Sequence, residues 1–181
     1  MAENSVRSWL LDSADRAPSA TILLRIMAGG VFLWEGILKF IYPSLGIIRF
    51  TKLGIPLPHI ATYFIAILEI VGGSFIIAGF LTRIFSTLFI CEMIVAILST
   101  KIPMLLNTFP LPVAPVPPTS GLGLALHDGR SDLAQIMTMI FLLIMGQGRL
   151  SIDALIGKRY RQQAGIRETE RVMQKEKVYQ Q

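Results

Sequence analysis

TILLRIMAGGVFLWEGILKFIY, residues 21–42, is a mostly apolar run of 22 residues that stops against Pro43. At about 1.5 Å of rise per residue, a helix of this length crosses the roughly 30 Å hydrocarbon core of a bilayer. Its charges, Arg25, Glu35 and Lys39, are isolated in apolar surroundings. A soluble amphipathic helix would instead carry a continuous polar face. The segment therefore predicts a membrane span, and the rest of the chain repeats the pattern. His59 to Leu81 gives a second apolar run, introduced by Pro56 and Pro58, and Ile84 to Thr100 a third. Only Thr82 and Arg83 separate these two, which predicts a tight antiparallel hairpin. Leu133 to Gly148 is a shorter fourth span, with Asp132 and Gln135 at the spacing of a capping box. The expected fold is an all-α integral membrane four-helix bundle. Between the third and fourth spans, Lys101 to Ser131 holds Pro103, Pro110, Pro112, Pro115, Pro117 and Pro118, so an ordered lid or extended outer loop is expected over 101–131.

Composition agrees. Of 181 residues, 52% are hydrophobic and 16% charged, with a mean hydropathy of +0.59; soluble domains carry about 25% charged residues. This excludes a disordered chain and a nucleic-acid-coating protein. The net charge of +5 comes largely from Arg149, Lys158, Arg159, Arg161, Arg167, Arg171, Lys175 and Lys177, which follow the fourth span. By the positive-inside rule that end is cytoplasmic, and an even number of spans puts the N-terminus there too; Arg49 and Lys52 in the first loop partly oppose this orientation. Residues 1–20, with Trp9, Leu10 and Leu11, lack the features of a cleaved secretory signal and read as an interfacial arm, and residues 154–181 as a basic cytoplasmic tail. The lone Cys91 cannot form an internal disulfide, and His59 and His127 alone make a multi-ligand metal site an unsuitable reading, so no metal and no intrinsic cofactor are expected. The methionines read as apolar filler.

The few ionisable groups inside the spans carry the functional signal, because each costs roughly 2.5–3.5 kcal/mol to insert. Glu35, Glu69 and Glu92 fall roughly 10–17 Å below the outer surface, so they are expected to share one pocket. Lys39 follows Glu35 by four residues, and Gln135 approaches from the fourth helix. Three acids beside one cation cannot all be ionised in a low dielectric, so the set should exchange a proton with a ligand. A quinone headgroup needs such donors and acceptors; a bound lipid is the other candidate. Arg25, within reach of Arg149 and Asp153, forms an expected inner polar layer. The plain structural reading is that these groups pin the bundle, with Gly29, Gly36, Gly72 and Gly73, together with Gly30 and Gly79, letting helices approach closely.

Several patterns stand in order: Leu24-Arg25, then Gly29-Gly30 and Gly36-Ile37-Leu38-Lys39-Phe40; Glu69-Ile70-Val71-Gly72-Gly73, then Gly79-Phe80-Leu81-Thr82-Arg83; and Gly146-Gln147-Gly148-Arg149-Leu150-Ser151-Ile152-Asp153. Over residues 21–153 the chain resembles the DoxX family. Arg25, Gly36, Lys39, Glu69, Gly73, Arg149 and Asp153 match the motif positions; Glu35 and Glu92 rest on depth alone. The resemblance implies a bacterial cytoplasmic (inner) membrane protein of four helices, related to a DoxD subunit of thiosulfate:quinone oxidoreductase, with some members linked to quinone or thiol-stress responses. The segment Pro110 to Pro118 is longer than the usual connection. Three functions follow. A non-catalytic accessory or assembly subunit of a larger membrane complex stands first; a quinone-interacting subunit of a membrane oxidoreductase, its electrons supplied by a partner, stands second; a small-solute or proton-coupled transporter stands last. The expected partners are the lipid bilayer, other membrane-protein subunits and a quinone, with no nucleic acid.

Overall fold

A computed structural model of the chain describes residues 17–113 and 118–179. Helix α1 (Thr21–Ile41) ends where Tyr42 turns extended before Pro43. A short α2 (Ile47–Lys52) leads to α3 (Pro58–Ala78), which has a proline in its first turn, where the missing N–H costs nothing. Gly79, at φ +69°, closes α3 in the left-handed conformation while the Phe80 amide donates back to the Phe75 carbonyl (2.9 Å). Helix α4 (Thr82–Leu105) follows directly, and α5 (Gly121–Met145) and α6 (Ile152–Tyr179) complete the chain. No strand occurs among the described residues.

The chain is a membrane helical bundle. Helices α1, α3 and α4 are long and apolar enough to cross a bilayer; α5 packs along α4 and contributes Met139 and Leu142 to the core. Large apolar side chains such as Leu23, Trp34, Ile60, Phe64, Val95 and Ile144 face outward, the reverse of a soluble protein and the pattern a lipid solvent requires. Because lipid is as apolar as leucine, helix contact depends on close packing. A Cβ at Gly29 would lie 2.7 Å from the Gly73 carbonyl oxygen, and one at Gly36 2.8 Å from that of Ala66, so α1 and α3 touch backbone to backbone. Gly72 leaves room for Phe85 and Phe89 of α4, and Phe89 stacks on Phe32 with ring centres 3.8 Å apart. Gly30 has nothing within 4 Å of a built Cβ and plays no part in these contacts.

Two boundaries differ from the sequence-based expectation. Helix α5 starts at Gly121, twelve residues before Leu133, so the last eleven residues of the expected 101–131 loop are helical, and Asp132 and Gln135 lie mid-helix rather than in a capping box. The prolines end at Pro118, and nothing after it forbids a helix. At the other edge α4 runs past Thr100 to Leu105, through a π-helical turn at Ile97–Lys101. Pro103 accounts for that turn: its ring cannot seat against the carbonyl of residue 99 in a regular α-helix, and widening by one residue relieves the clash. The residues of the expected N-terminal arm up to 16, including Trp9, Leu10 and Leu11, lie outside the described residues, as do 114–117, with Pro115 and Pro117, and the side chains of Arg161, Arg167, Arg171, Lys175 and Lys177 in the tail.

Candidate functional site

The stripe Arg25, Ala28, Phe32, Gly36 and Lys39 of α1 turns inward at helical spacing, and it carries a cation at each end. Arg25 occupies the end of the bundle where the N- and C-terminal segments meet. Only 2% exposed, it spreads its guanidinium over the backbone. Nε donates to the Ile76 carbonyl (2.9 Å), Nη2 to that of Ile77 (2.6 Å), and Nη1 to those of Gln147 (2.9 Å) and Leu150 (2.6 Å). It thereby satisfies the C-terminal carbonyls of α3, where a cation also complements the helix dipole. The sequence after α5 is built around this plug. Gly146 and Gly148 take positive φ, Ser151 caps α6 by accepting the Ala154 amide (3.1 Å), and the Asp153 carboxylate accepts the amides of Leu81 and Thr82 at the start of α4. Burial pushes the Asp153 carboxyl above the ordinary aspartate range, against the pull of those amides and of Arg25. Arg149 is exposed and stays out of the layer. The buried cation that joins α5 at this end is Arg83, which donates to the Ile144 carbonyl (3.2 Å).

At the opposite, loop end, Lys39 Nζ donates to both oxygens of Glu69 (2.7 and 2.6 Å). The Lys39 and Glu69 side chains are 12% and 4% exposed. Gly36, one turn from Lys39, meets the Glu69 Cβ position itself, so the close approach of α1 to α3 is what lets this pair form. Glu92 comes from α4 near enough to Glu69 for the two carboxyls to interact, yet its buried Oε2 accepts no hydrogen bond among the described residues. Gln135 of α5 is buried, with both side-chain polar atoms unpartnered among the described residues. The ion pair of Lys101 with Asp132 (3.1 Å) and the bond from Arg83 to Ile144 fix the antiparallel register of α4 and α5. In that register Gln135 stands level with Ala96, about one turn from Glu92. Glu35 departs from the expected shared pocket: it lies on the exposed face of α1, and Lys39 pairs with Glu69 in its place. The reason is geometric, since Glu35 is one residue, or about 100° of helix rotation, away from buried Gly36.

The matching family model is DoxX, over residues 20–102. The uncharacterized membrane protein Rv3486 of Mycobacterium tuberculosis (strain ATCC 25618 / H37Rv) is 38% identical over 156 residues, which is 84% of this chain and 90% of that protein. The chain belongs to the DoxX family. A Bacillus subtilis (strain 168) protein named "Putative oxidoreductase CatD" is 30% identical over 138 residues, 76% of this chain and 87% of that one. No solved structure matches. The DoxX match takes in Arg25, Lys39, Glu69 and Glu92, and it stops before Gln135 and Asp153.

The DoxX bundle thus holds two polar layers of different character. The one at the termini end is closed on the protein's own backbone. The one at the loop end contains an ion pair, a second carboxyl and a carboxamide, with hydrogen-bonding capacity left over. Sequence reasoning missed Arg83, read as a loop residue, and the buried Gln147 and Ser151. It also missed Lys101, which bridges Asp128 and Asp132 from the end of α4. The spacing of Asp128, Asp132, Gln135, Met139 and Leu142 at i, i+4, i+7, i+11 and i+14 was the available signal of one helix face. Among the described residues no group of three His, Cys, Asp or Glu is placed to hold a metal ion.

Proposed function

We propose that this DoxX protein is a quinone-interacting membrane subunit of an oxidoreductase, working in the cytoplasmic membrane of a bacterium with both termini inside. The observation that carries the reading is the surplus of hydrogen-bonding groups at the loop end: the Gln135 amide and Glu92 Oε2 are buried without a partner among the described residues, and Glu92 adjoins Glu69 of the Lys39–Glu69 pair. A buried unsatisfied polar atom costs about 1–3 kcal/mol, so in a native fold it calls for an explanation, and a bound molecule is the one that supports this reading. A quinone headgroup has carbonyl oxygens for the Gln135 amide and Lys39, and a tail that suits the apolar surround. Reduction takes two electrons and two protons to the quinol. The electrons would come from a reduced partner subunit, and Glu92 with Glu69 would pass on in turn the two protons that the headgroup takes, each replaced from water. The oxidoreductase name of the Bacillus relative points the same way.

The test is binding of decylubiquinone to the full chain in detergent, read by thermal unfolding. A ligand at about 100 times its Kd stabilises by about 2.7 kcal/mol. That shift should vanish in Gln135→Leu and Glu92→Leu and persist in Arg149→Ala. No shift in the unaltered protein, or an equal one in Gln135→Leu, overturns the reading.

A second reading, the non-catalytic accessory or assembly subunit, is favoured by Glu35. Its side chain is exposed on α1 about 9 Å inside the helix end at Ile41, where an uncovered carboxylate is costly and a neighbouring membrane subunit would cover it. Cross-linking in native membranes should then yield one stoichiometric partner through α1; a solely monomeric species counts against it.

A further inference from the structure

We infer that the facing stripes of α4 and α5 form a proton inlet, leading from the loop-end surface to the Glu69–Glu92 carboxyl pair. The inference deepens the reading above, since it takes that pair as the place where a proton is held, and it does not depend on which ligand is served.

Three observations carry it. First, Asp128, Asp132 and Gln135 stand at i, i+4 and i+7 on one face of α5, and exposure falls along them: 45% for the Asp128 side chain, 22% for Asp132 and 7% for Gln135. This is a graded descent from water into the bundle. Beyond Gln135 the same face turns wholly apolar at Met139 and Leu142, so the polar stripe ends at the depth where it is needed. Second, α4 supplies the facing wall. Its π-helical turn at Ile97–Lys101 brings Lys101 onto Asp128 and Asp132 and buries Thr100. Glu92 lies nine residues further in, about 13 Å along the helix. Third, the mid-point of this descent is Gln135, neither of whose side-chain polar atoms has a partner among the described residues. A carboxamide offers a donor and an acceptor at once, which is what a hydrogen-bonded chain passing a proton between carboxyls needs.

A proton entering at Asp128 or Asp132 would pass Gln135 through bound water and be delivered to Glu92, with Glu69 held by Lys39 as its neighbour. No bond other than O–H is broken or made, and the carboxylate that gives up the proton regains one from bulk water. Among the described residues, the remaining ionisable side chain near the pair is Glu35 on α1, which offers a competing route from the lipid face. If instead Lys101, Asp128 and Asp132 merely pin α4 to α5, the interior has no path at this point.

The experiment is infrared spectroscopy of the full chain in lipid nanodiscs without quinone, following the neutral carboxyl C=O band after transfer to D2O. Glu92→Gln should remove the band, which assigns it. Gln135→Leu and Asp128→Asn/Asp132→Asn are each expected to slow its exchange at least tenfold, while Glu35→Gln leaves the rate unchanged. Helical circular dichroism confirms that the variants are folded, and Gln135→Met serves if Gln135→Leu is not. An absent band, exchange as fast in Gln135→Leu as in the unaltered protein, or slowing confined to Glu35→Gln would each overturn the inlet. Because the readout contains no quinone, such a failure leaves the ligand test above untouched, and a failed ligand test leaves this one standing.

Discussion

Replacing Lys39 by methionine would leave Glu69 without the cation that pairs with it, and the geometry sets the size of the effect. Both Glu69 oxygens accept from Nζ at 2.7 and 2.6 Å, and neither side chain is more than 12% exposed. Solvent screening therefore discounts the pair little. Removing one partner of a buried pair costs about 3–5 kcal/mol, because the survivor is left charged and desolvated. Glu69→Gln should cost less, about 1–2 kcal/mol: it keeps the side-chain volume, and Lys39, three residues from Tyr42, can extend its ammonium toward the water at the loop end. The double variant Lys39→Met/Glu69→Gln removes both charges and should cost no more than Glu69→Gln alone, so the coupling should be at least the Lys39→Met loss, about 3–5 kcal/mol. The assay is reversible unfolding of the full chain in mixed detergent micelles, followed by circular dichroism for all four proteins. A Lys39→Met loss under about 1 kcal/mol, or strictly additive losses, would refute a desolvated pair.

Three further outcomes follow from the same structure and the same unfolding assay. Gly29→Ala should destabilise by more than 1 kcal/mol, because its Cβ would meet the Gly73 carbonyl at 2.7 Å, whereas Gly30→Ala, with open space, should be neutral or gain up to about 1 kcal/mol of helix propensity; equal effects would refute the close α1–α3 seam. Gln135→Leu should raise the stability of the ligand-free protein by about 1–3 kcal/mol by removing two orphaned polar atoms, and a loss would show that the carboxamide is bonded. For Asp153 the folded carboxyl sits above its ordinary value, so the penalty on its charged form is present above the folded value and fades as pH falls toward the ordinary 3.8. Relative to Asp153→Asn the unaltered protein should therefore gain stability on acidification through that window, and an opposite slope would refute burial as the dominant cause.

The spans that proved legible are those where composition alone decides. In α1 and α3 more than twenty residues pass with few charges, and no soluble arrangement hides that much apolar surface. The glycines were legible for a related reason, since small residues are what lipid-solvated helices pack through. What failed was assignment of faces and edges. The i, i+4 rule pairs Lys39 with Glu35, but a local rule cannot say which face is turned toward α3. Reading Arg25, Phe32, Gly36 and Lys39 as one inward stripe would have put Glu35 outside it. The start of α5 was hidden by Gly121, Gly123, Asp128, Gly129 and Arg130, residues of low helix propensity or high polarity that tertiary packing against α4 overrides. Arg149 and Arg83 exchanged expected places because Gly148, at φ +77°, turns the chain after α5, a feature of backbone conformation that spacing does not reveal.

The contrast between the two ends of the bundle bears on where function resides. If both polar layers existed only to set helix register, both should be satisfied, since a half-satisfied network is worse than an apolar core. At the termini end the charged groups meet that standard: each Arg25 nitrogen reaches a carbonyl, Asp153 accepts two amides, and Ser151 both donates and accepts, while the small Thr21 and Thr82 hydroxyls are buried there without a partner among the described residues. The loop end does not. Its Lys39–Glu69 pair is complete, but Glu92 and Gln135 hold a carboxyl oxygen and a carboxamide in the interior without partners among the described residues. Together these amount to several kcal/mol that leucine at both positions would recover. A layer that is unfavourable as architecture and yet positioned beside an ion pair is best understood by what it binds. The closed end supplies rigidity, tying α1, α3, α4 and the start of α6 together through backbone contacts, and that rigidity allows the open end to keep unsatisfied groups poised for a ligand.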